Sequence, residues 1–250
     1  MIKIKRIIDV FFSISGLLIA SPLLIPVMFL IWRQDGHSPF YIADRVGKKG
    51  LIFKMVKLRS MIVNADKSGV DSTSSSDNRI TSLGRFIRKY KLDEITQLWN
   101  VLLGDMSLVG PRPNVKRETD LYTDEEKTLL KIKPGITDLA SIVFADEGNI
   151  LNGQNDPDIA YNQLIRPGKS HLGIFYVKHQ TILLDIQLIF YTITLMFSRE
   201  KTLKKIQNLL RKLNANDEII KLASRTFPLK PMPPPGSSKI VTSRDGDPNK

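Results

Sequence analysis

From Ile7 to Trp32 the chain reads "IIDVFFSISGLLIASPLLIPVMFLIW", an apolar run carrying one charge, Asp9, and two prolines, Pro22 and Pro26. About 20 such residues cross a bilayer as a helix. Each proline removes a backbone donor and clashes with the preceding turn, so a sharp bend is expected at Ser21-Pro22. The Ser21 hydroxyl can bond a carbonyl that the bend frees. Both flanks are basic: Lys3, Lys5 and Arg6 before, Arg33, Arg45, Lys48 and Lys49 after. Short basic flanks stay on the cytoplasmic side. Keeping both there makes residues 1–33 a re-entrant helix hairpin that enters one leaflet, turns at Ser21-Pro22 and returns. A kinked span and a buried soluble helix are the alternatives. A cleaved signal peptide fits poorly, because the apolar run continues straight through "SISGLLIASP".

The formal net charge of +12 calls for an anionic partner, and charge alone does not separate nucleic acid, acidic lipid headgroups and phosphorylated small molecules. A nucleic-acid binder interleaves aromatics with its basic residues. Here the aromatics concentrate in apolar stretches, so no nucleic-acid partner is expected. The chain has no cysteine, which excludes disulfides, zinc-thiolate sites and a cysteine nucleophile. Its three histidines, His37, His171 and His179, are scattered, which argues against a histidine metal site or a Ser-His-Asp triad. Acid-base and nucleophilic chemistry therefore falls to carboxylates.

After the apolar run, Gln34 to Met61 reads as short extended pieces, ending in the alternating "LIFKMVKLRSM". "SGVDSTSSSDNRITS", within Val63 to Ser82, is a surface loop by composition, of the kind that covers sites. A helical pattern resumes at "TSLGRFIRKY" and continues through "LDEITQLWNVLLG" to Gly104. It puts Leu92, Ile95, Leu98, Trp99 and Leu102 on one side and Asp93, Glu94, Gln97 and Asn100 on the other. "TDEEKTLLKIK" is a short amphipathic helix, and a helix from Ala160 to Leu172 is followed by a Pro167-Gly168 turn. "TILLDIQLIFYTITLMF" reads equally well as an interfacial helix for an anionic membrane surface or as a core helix. Residues 201–226 form a basic C-terminal helix, and the proline-rich 227–250 should be disordered. The predicted class is α/β, a small monotopic membrane-associated domain with amphipathic interfacial helices and short strands, its catalytic part at 34–200.

Three basic clusters surround an acidic pair. Lys57 and Arg59, at alternate strand positions, should share one face. Arg85, Arg88 and Lys89 precede Asp93-Glu94. Arg112 sits between Pro111 and Pro113, which fix its backbone and so reduce the entropy lost in aiming its guanidinium. Such forks suit bidentate phosphate contacts. Carboxylates among cations stay ionised, and an ionised carboxylate can hold Mg²⁺ or attack phosphorus. Each cluster taken singly also reads as a solvated face. Together, beside a membrane segment, they point to a phosphorylated substrate handled at the bilayer surface.

"KRIIDVFFSISGLLIASPLLI", "FYIADRVGKKGLIFKMVKLRSM", "GRFIRKYKLDEITQLWNVLLGDMSLVGPRP" and "KPGIT" stand in the order and spacing of the bacterial monotopic phosphoglycosyl transferases, which the chain resembles from Ile4 to Leu195. The resemblance implies a re-entrant helix broken at Ser21-Pro22. It also implies transfer of a sugar-1-phosphate from a UDP-sugar to a polyprenyl (undecaprenyl) phosphate, releasing UMP, with Mg²⁺ as cofactor. In that scheme Asp93 is the nucleophile forming a covalent phosphosugar intermediate, and Glu94 is the catalytic partner and Mg²⁺ ligand. Arg112 binds phosphate, with Lys57, Arg59 and Arg88 as further candidates. The implied location is the bacterial inner membrane, with the catalytic domain on its cytoplasmic face among anionic lipids. Many relatives have Ser where this chain has Lys91, which cannot form the S-x-x-E capping box. Either the helix starts elsewhere or Asp93 lies near the cap. The alternative reading is a basic membrane-bound adaptor on the same scaffold without catalysis.

Overall fold

The computed structural model describes residues 2–70 and 72–244. Helix α1 (Ile2–Asp35) continues through Pro22 and Pro26, so the bend expected at Ser21-Pro22 does not divide it into two helices. The Ser21 hydroxyl donates to the Leu18 carbonyl at 2.8 Å. That carbonyl is the one left without its amide partner by Pro22. Asp9, Ser13, Leu24, Val27 and Ile31 are buried along one face of α1, while Ile7, Phe11, Leu18, Ile25 and Phe29 are exposed on the other. Gly16 belongs to the buried face, since a Cβ there would come within 2.8 Å of the Leu98 side chain.

Strands β1 (Phe40–Val46) and β2 (Ile52–Leu58) form an antiparallel hairpin with Ala43 opposite Met55. The helical stretch that follows is three short helices rather than one: α2 (Ser82–Lys89), α3 (Leu92–Ile95) and α4 (Leu98–Leu103). Thr81 caps the first by accepting from the Gly84 amide, and Gly104, at φ 93°, ends the last. The break before α3 is Lys91, at φ 57° in the left-handed region. Next come β3 (Ser107–Val109), α5 (Lys116–Asp120), a 3-10 turn at Glu126–Lys131, and β4 (Gly135–Thr137), which pairs in parallel with β3.

The remainder is helical: α6 (Leu139–Val143), α7 (Glu147–Ile150), α8 (Pro157–Ala160), α9 (Arg166–His179), α10 (Ile182–Leu195), α11 (Arg199–Lys212) and α12 (Asp217–Ser224). A π turn at Tyr161–Ile165 joins α8 to α9. The expected turn at Pro167-Gly168 is absent, because Pro167 occupies the first turn of α9, where no amide partner is lost. The architecture is thus mixed helix and sheet, with few strand residues among those described.

The main core gathers Leu139 and Val143 of α6, Phe144 just beyond it, Leu172 and Tyr176 of α9, Leu188 of α10, and Leu203, Ile206 and Leu210 of α11. It therefore continues past residue 200, and the basic 201–226 region is two helices whose apolar sides complete that core. A second cluster packs Leu24, Val27 and Ile31 of α1 on Leu58, Ile87 and Leu92. Helix α10 combines both of its sequence readings: Leu184 and Leu188 are buried, while Leu183, Ile186, Phe190 and Ile193 form an exposed apolar stripe. The segment expected to be disordered packs on the domain up to Arg244: Pro234, Pro235 and Val241 are buried, and Thr123 Oγ1 donates to the Pro235 carbonyl at 2.5 Å. Residues 245–250 of that expectation lie outside the described residues.

Candidate active site

The site begins at the edge of β2 that β1 leaves free. Asn100 Oδ1 accepts from the Val56 amide at 2.9 Å, and its Nδ2 donates to the Lys54 carbonyl at 2.6 Å. Thr96 Oγ1 lies 3.3 Å from the Val56 carbonyl and 3.2 Å from that of Asp93. Side chains thus complete the edge pairing that backbone groups require and fix α3 and α4 against the strand. Lys57 then faces the acidic pair, its Nζ 3.9 Å from both Asp93 Oδ2 and Glu94 Oε1.

The opposite wall is "GPRP". Gly110 donates to the Thr137 carbonyl at 3.0 Å, and Gly135 donates to the Pro111 carbonyl at 3.0 Å. The two glycines cross so closely that a Cβ on Gly135 would lie 2.1 Å from the Gly110 nitrogen. This contact joins "KPGIT" to "GPRP" and leaves no room for any other residue. Beyond Pro113, Asn114 Nδ2 donates to the Tyr122 hydroxyl at 2.9 Å. Held in this way, Arg112 donates to Glu94 Oε1 at 2.7 Å.

Asp93 and Glu94 occupy the first turn of α3, where the helix dipole favours negative charge. Lys91 precedes them as a left-handed cap without a side-chain cap bond, so the dyad itself lies at the helix start. Asp93 is buried, and its Oδ1 has no hydrogen-bond partner among the described residues. Burial opposes ionisation of Glu94, but the charges of Arg112, Lys57 and Lys91 outweigh it and hold the carboxyl well below the usual range. Burial and the neighbouring Arg112 pull the Lys57 ammonium down to about 8, against the opposing pull of the dyad. The Glu94 charge, in turn, raises Arg112.

A further wall was not visible in the sequence. Glu147 at the start of α7 pairs with Lys169 of α9. Burial raises the Glu147 carboxyl, but Lys169, Arg112 and Lys91 together lower it, which places it in the field of the site. Lys169 Nζ also stands 5.3 Å from the centre of the Tyr161 ring. These residues lie on elements remote in sequence from the dyad and carry no local motif.

The predicted residues divide. Asp93, Glu94, Lys57 and Arg112 converge. Arg88 is half-buried at the end of α2, close enough to Asp77 to lower its carboxyl after Arg79 has done most of that work. Arg59 does not join them. Its Nε donates to the Ser38 carbonyl at 2.8 Å and its two amino groups reach Asp35 at 2.5 and 2.7 Å, so it ties down the end of α1. Strand β2 ends at Leu58, and the alternation that would have pointed Arg59 beside Lys57 ends with it. Ser21 and Pro22 lie in α1.

Residues 1–199 match the family described as bacterial sugar transferase. Over 212 residues the chain is 37% identical to the undecaprenyl-phosphate galactose phosphotransferase of Salmonella typhimurium, covering 79% of this chain and 41% of that protein. The exopolysaccharide production protein ExoY of Sinorhizobium fredii is 34% identical over 76% of this chain and 83% of its own length. The UDP-N-acetylgalactosamine-undecaprenyl-phosphate N-acetylgalactosaminephosphotransferase of Aeromonas hydrophila is 31% identical over 76% of this chain and 43% of its own. The chain thus spans about two fifths of the Salmonella relative and most of ExoY. The match takes in the α1 segment, the dyad, "GPRP" and "KPGIT" together, and on that ground the chain belongs to the bacterial sugar transferase family.

Proposed function

We propose that this protein is a transferase that moves a sugar-1-phosphate from a UDP-sugar to a polyprenyl phosphate, releasing UMP and starting assembly of a surface polysaccharide. The names of the Salmonella and Aeromonas relatives support this substrate pair. The observation that carries the reading is the unpartnered, buried Asp93 Oδ1 set among Lys57, Glu94 and Arg112. Leaving a buried carboxylate oxygen unpaired costs about 1–3 kcal/mol. A non-catalytic adaptor would have no use for that cost, whereas a nucleophile needs a free lone pair.

In the first step Asp93 Oδ1 attacks the sugar-bearing phosphorus of the donor. A phosphorus–oxygen bond forms to the carboxylate, the bond to the bridging oxygen breaks, and UMP leaves with that electron pair. Lys57 and Arg112 offset the charge that develops on the phosphoryl oxygens and on the leaving group. In the second step a polyprenyl phosphate oxygen attacks the same phosphorus and Asp93 departs as carboxylate. One site serves both displacements in ping-pong order.

The donor set also suits Mg²⁺. Among the described residues no group of three metal-ligating side chains occurs. One carboxylate is enough for an ion that takes one or two protein oxygens and fills its remaining positions with water and substrate phosphates. Glu94 would hold it, leaving the Asp93 oxygen free to attack, and it would supply further neutralisation of the diphosphate.

We place the protein on the bacterial inner membrane as a monotopic protein with the catalytic domain facing the cytoplasm and anionic lipids near its basic flanks. Both ends of α1 dock on the same domain, which favours entry and return over crossing. At one end Lys5 pairs with Asp185 at 2.5 Å and Asp9 accepts from the Leu108 amide at 3.0 Å; at the other, Asp35 pairs with Arg59.

A UMP-release assay with a panel of UDP-sugars, polyprenyl phosphate and Mg²⁺ tests the proposal. At least one UDP-sugar should yield UMP in step with lipid-linked sugar phosphate. Failure with every donor would rule the activity out.

A further inference from the structure

The family match ends at residue 199, yet the chain beyond α12 returns to the functional domain as a strap. Met232 donates its amide to the Gln163 carbonyl at 3.1 Å, and Gln163 Nε2 donates to the Val241 carbonyl at 2.7 Å. With Val241 buried, the strap carries Arg244 to the start of α8. There Arg244 Nε donates to Asp156 Oδ2 at 2.9 Å. One of its amino groups donates to the Gly69 carbonyl at 3.2 Å and stands 3.8 Å from Asp158 Oδ2.

These partners tie three segments together. Asp156 Oδ1 caps α8 by accepting from the Asp158 and Ile159 amides. Asp158, which also lies 3.5 Å from Arg117, accepts from the Ser72 amide at 2.8 Å. Arg244 therefore grips the loop of residues 64–70 and 72–77 directly at Gly69 and, through Asp158, at Ser72. The same loop also touches α7, where the Ser75 amide donates to the Gly148 carbonyl at 2.9 Å. Gly148 follows Glu147, the residue facing Lys169 and the field of Arg112 and Lys91. At its far end the loop presents Asp77 to Arg88.

We propose that Arg244 is a positioning residue for the donor nucleotide sugar: it seats the loop at Gly69, Ser72 and Ser75 as a preformed wall beside the Glu147–Lys169 pair. This rests on the transferase reading above. A loop already ordered spares the ligand the entropy of ordering it, and that saving appears as affinity. Arg244 touches neither Asp93 nor Arg112, so the chemical step and the lipid acceptor do not depend on it.

The test uses the full chain in lipid nanodiscs with Arg244→Ala and Arg244→Lys. Hydrogen exchange at the Ser72 and Ser75 amides should quicken in Arg244→Ala, with the α9 amides unchanged. KM for the UDP-sugar should rise about tenfold, with kcat and KM for polyprenyl phosphate within about twofold of wild type, as expected for lost preorganisation. Arg244→Lys, which keeps the charge, should recover part of both effects. Unchanged exchange overturns the clamp. Quickened exchange with an unchanged donor KM, or a loss confined to kcat, reduces the contact to a structural one and overturns the positioning role. A wild-type protein silent with every UDP-sugar overturns the functional reading and the positioning role with it, while the exchange data still report whether the clamp exists.

Discussion

Lys57 carries an ammonium into surroundings that penalise charge, and this makes the site's electrostatics depend on pH in a range where most lysines do not titrate. Its pKa falls to about 8, so the charged form disappears as pH rises through that value. Glu94 is held below the usual carboxylate range and stays ionised on the acid side. The resulting prediction is that kcat/KM falls above a pH of about 8 as the ammonium is lost. Lys57→Arg, whose guanidinium keeps its charge, should shift that alkaline limb upward by at least about one pH unit. Lys57→Met should lower kcat/KM roughly 100-fold even at neutral pH, the scale of losing one preorganised electrostatic contact. A pH–rate profile of the three proteins checks both statements. The four converging residues were legible in the sequence because chemistry-bearing types recur there within short motifs. Arg59 was misplaced because the alternation argument was carried one residue past the end of its strand. Glu147 and Lys169 were missed because only folding brings them near.

At the scale of elements, two contacts set the distance between the dyad and its cations. Asn100 joins α4 to β2, and Asn100→Ala would remove the partners of the Val56 amide and the Lys54 carbonyl at this part-buried edge. A loss of about 1–2 kcal/mol follows, measurable as an earlier urea midpoint in micelles. The Gly110–Gly135 crossing holds "GPRP" on β4. Gly135→Ala must force that crossing open, moving Arg112 from Glu94 and cutting kcat/KM at least about tenfold, since misplacement of about 1 Å costs on that order or more. Steady-state kinetics on a variant that still elutes as a monodisperse peak measures it. The dyad region shows what pattern reading can and cannot give. Its period was read correctly, but not its breaks or which side faces inward. Asn100 and Gln97 are 1% exposed, whereas Trp99 and Leu103 are 52% and 61% exposed. Hydrophobic spacing identifies a helix face but not what covers it: Leu92 packs on α1 while Trp99, on the same predicted side, is exposed. The proline-rich strap was misread for a related reason: composition suggested disorder, yet prolines preset an extended backbone that gives up little entropy on packing.

For the whole molecule, the exposed apolar face of α1, the α10 stripe, and Trp99 and Leu103 of α4 belong to the same folded unit. The family and its membrane association were legible from the start, because a long apolar segment and the dyad motifs are local signals. The uninterrupted path of α1 was not, because it depends on contacts with β2, α4 and α10 far along the chain. With both ends of α1 on one domain, single cysteines placed near Lys3 and near Lys48 of this cysteine-free chain should both be shielded from a periplasmic thiol reagent. Labelling at only one of them indicates a crossing helix.

Asp93 is the proposed nucleophile, and the most direct measurement is of the bond it would form. The protein is incubated with Mg²⁺ and a UDP-sugar carrying radioactive phosphorus next to the sugar, with polyprenyl phosphate withheld. Label should stay with the denatured wild-type chain, leave when polyprenyl phosphate is added before denaturation, and be absent from Asp93→Asn. An Asp93→Asn chain that still takes up label, or a wild type that turns over freely yet never carries label, would contradict that role.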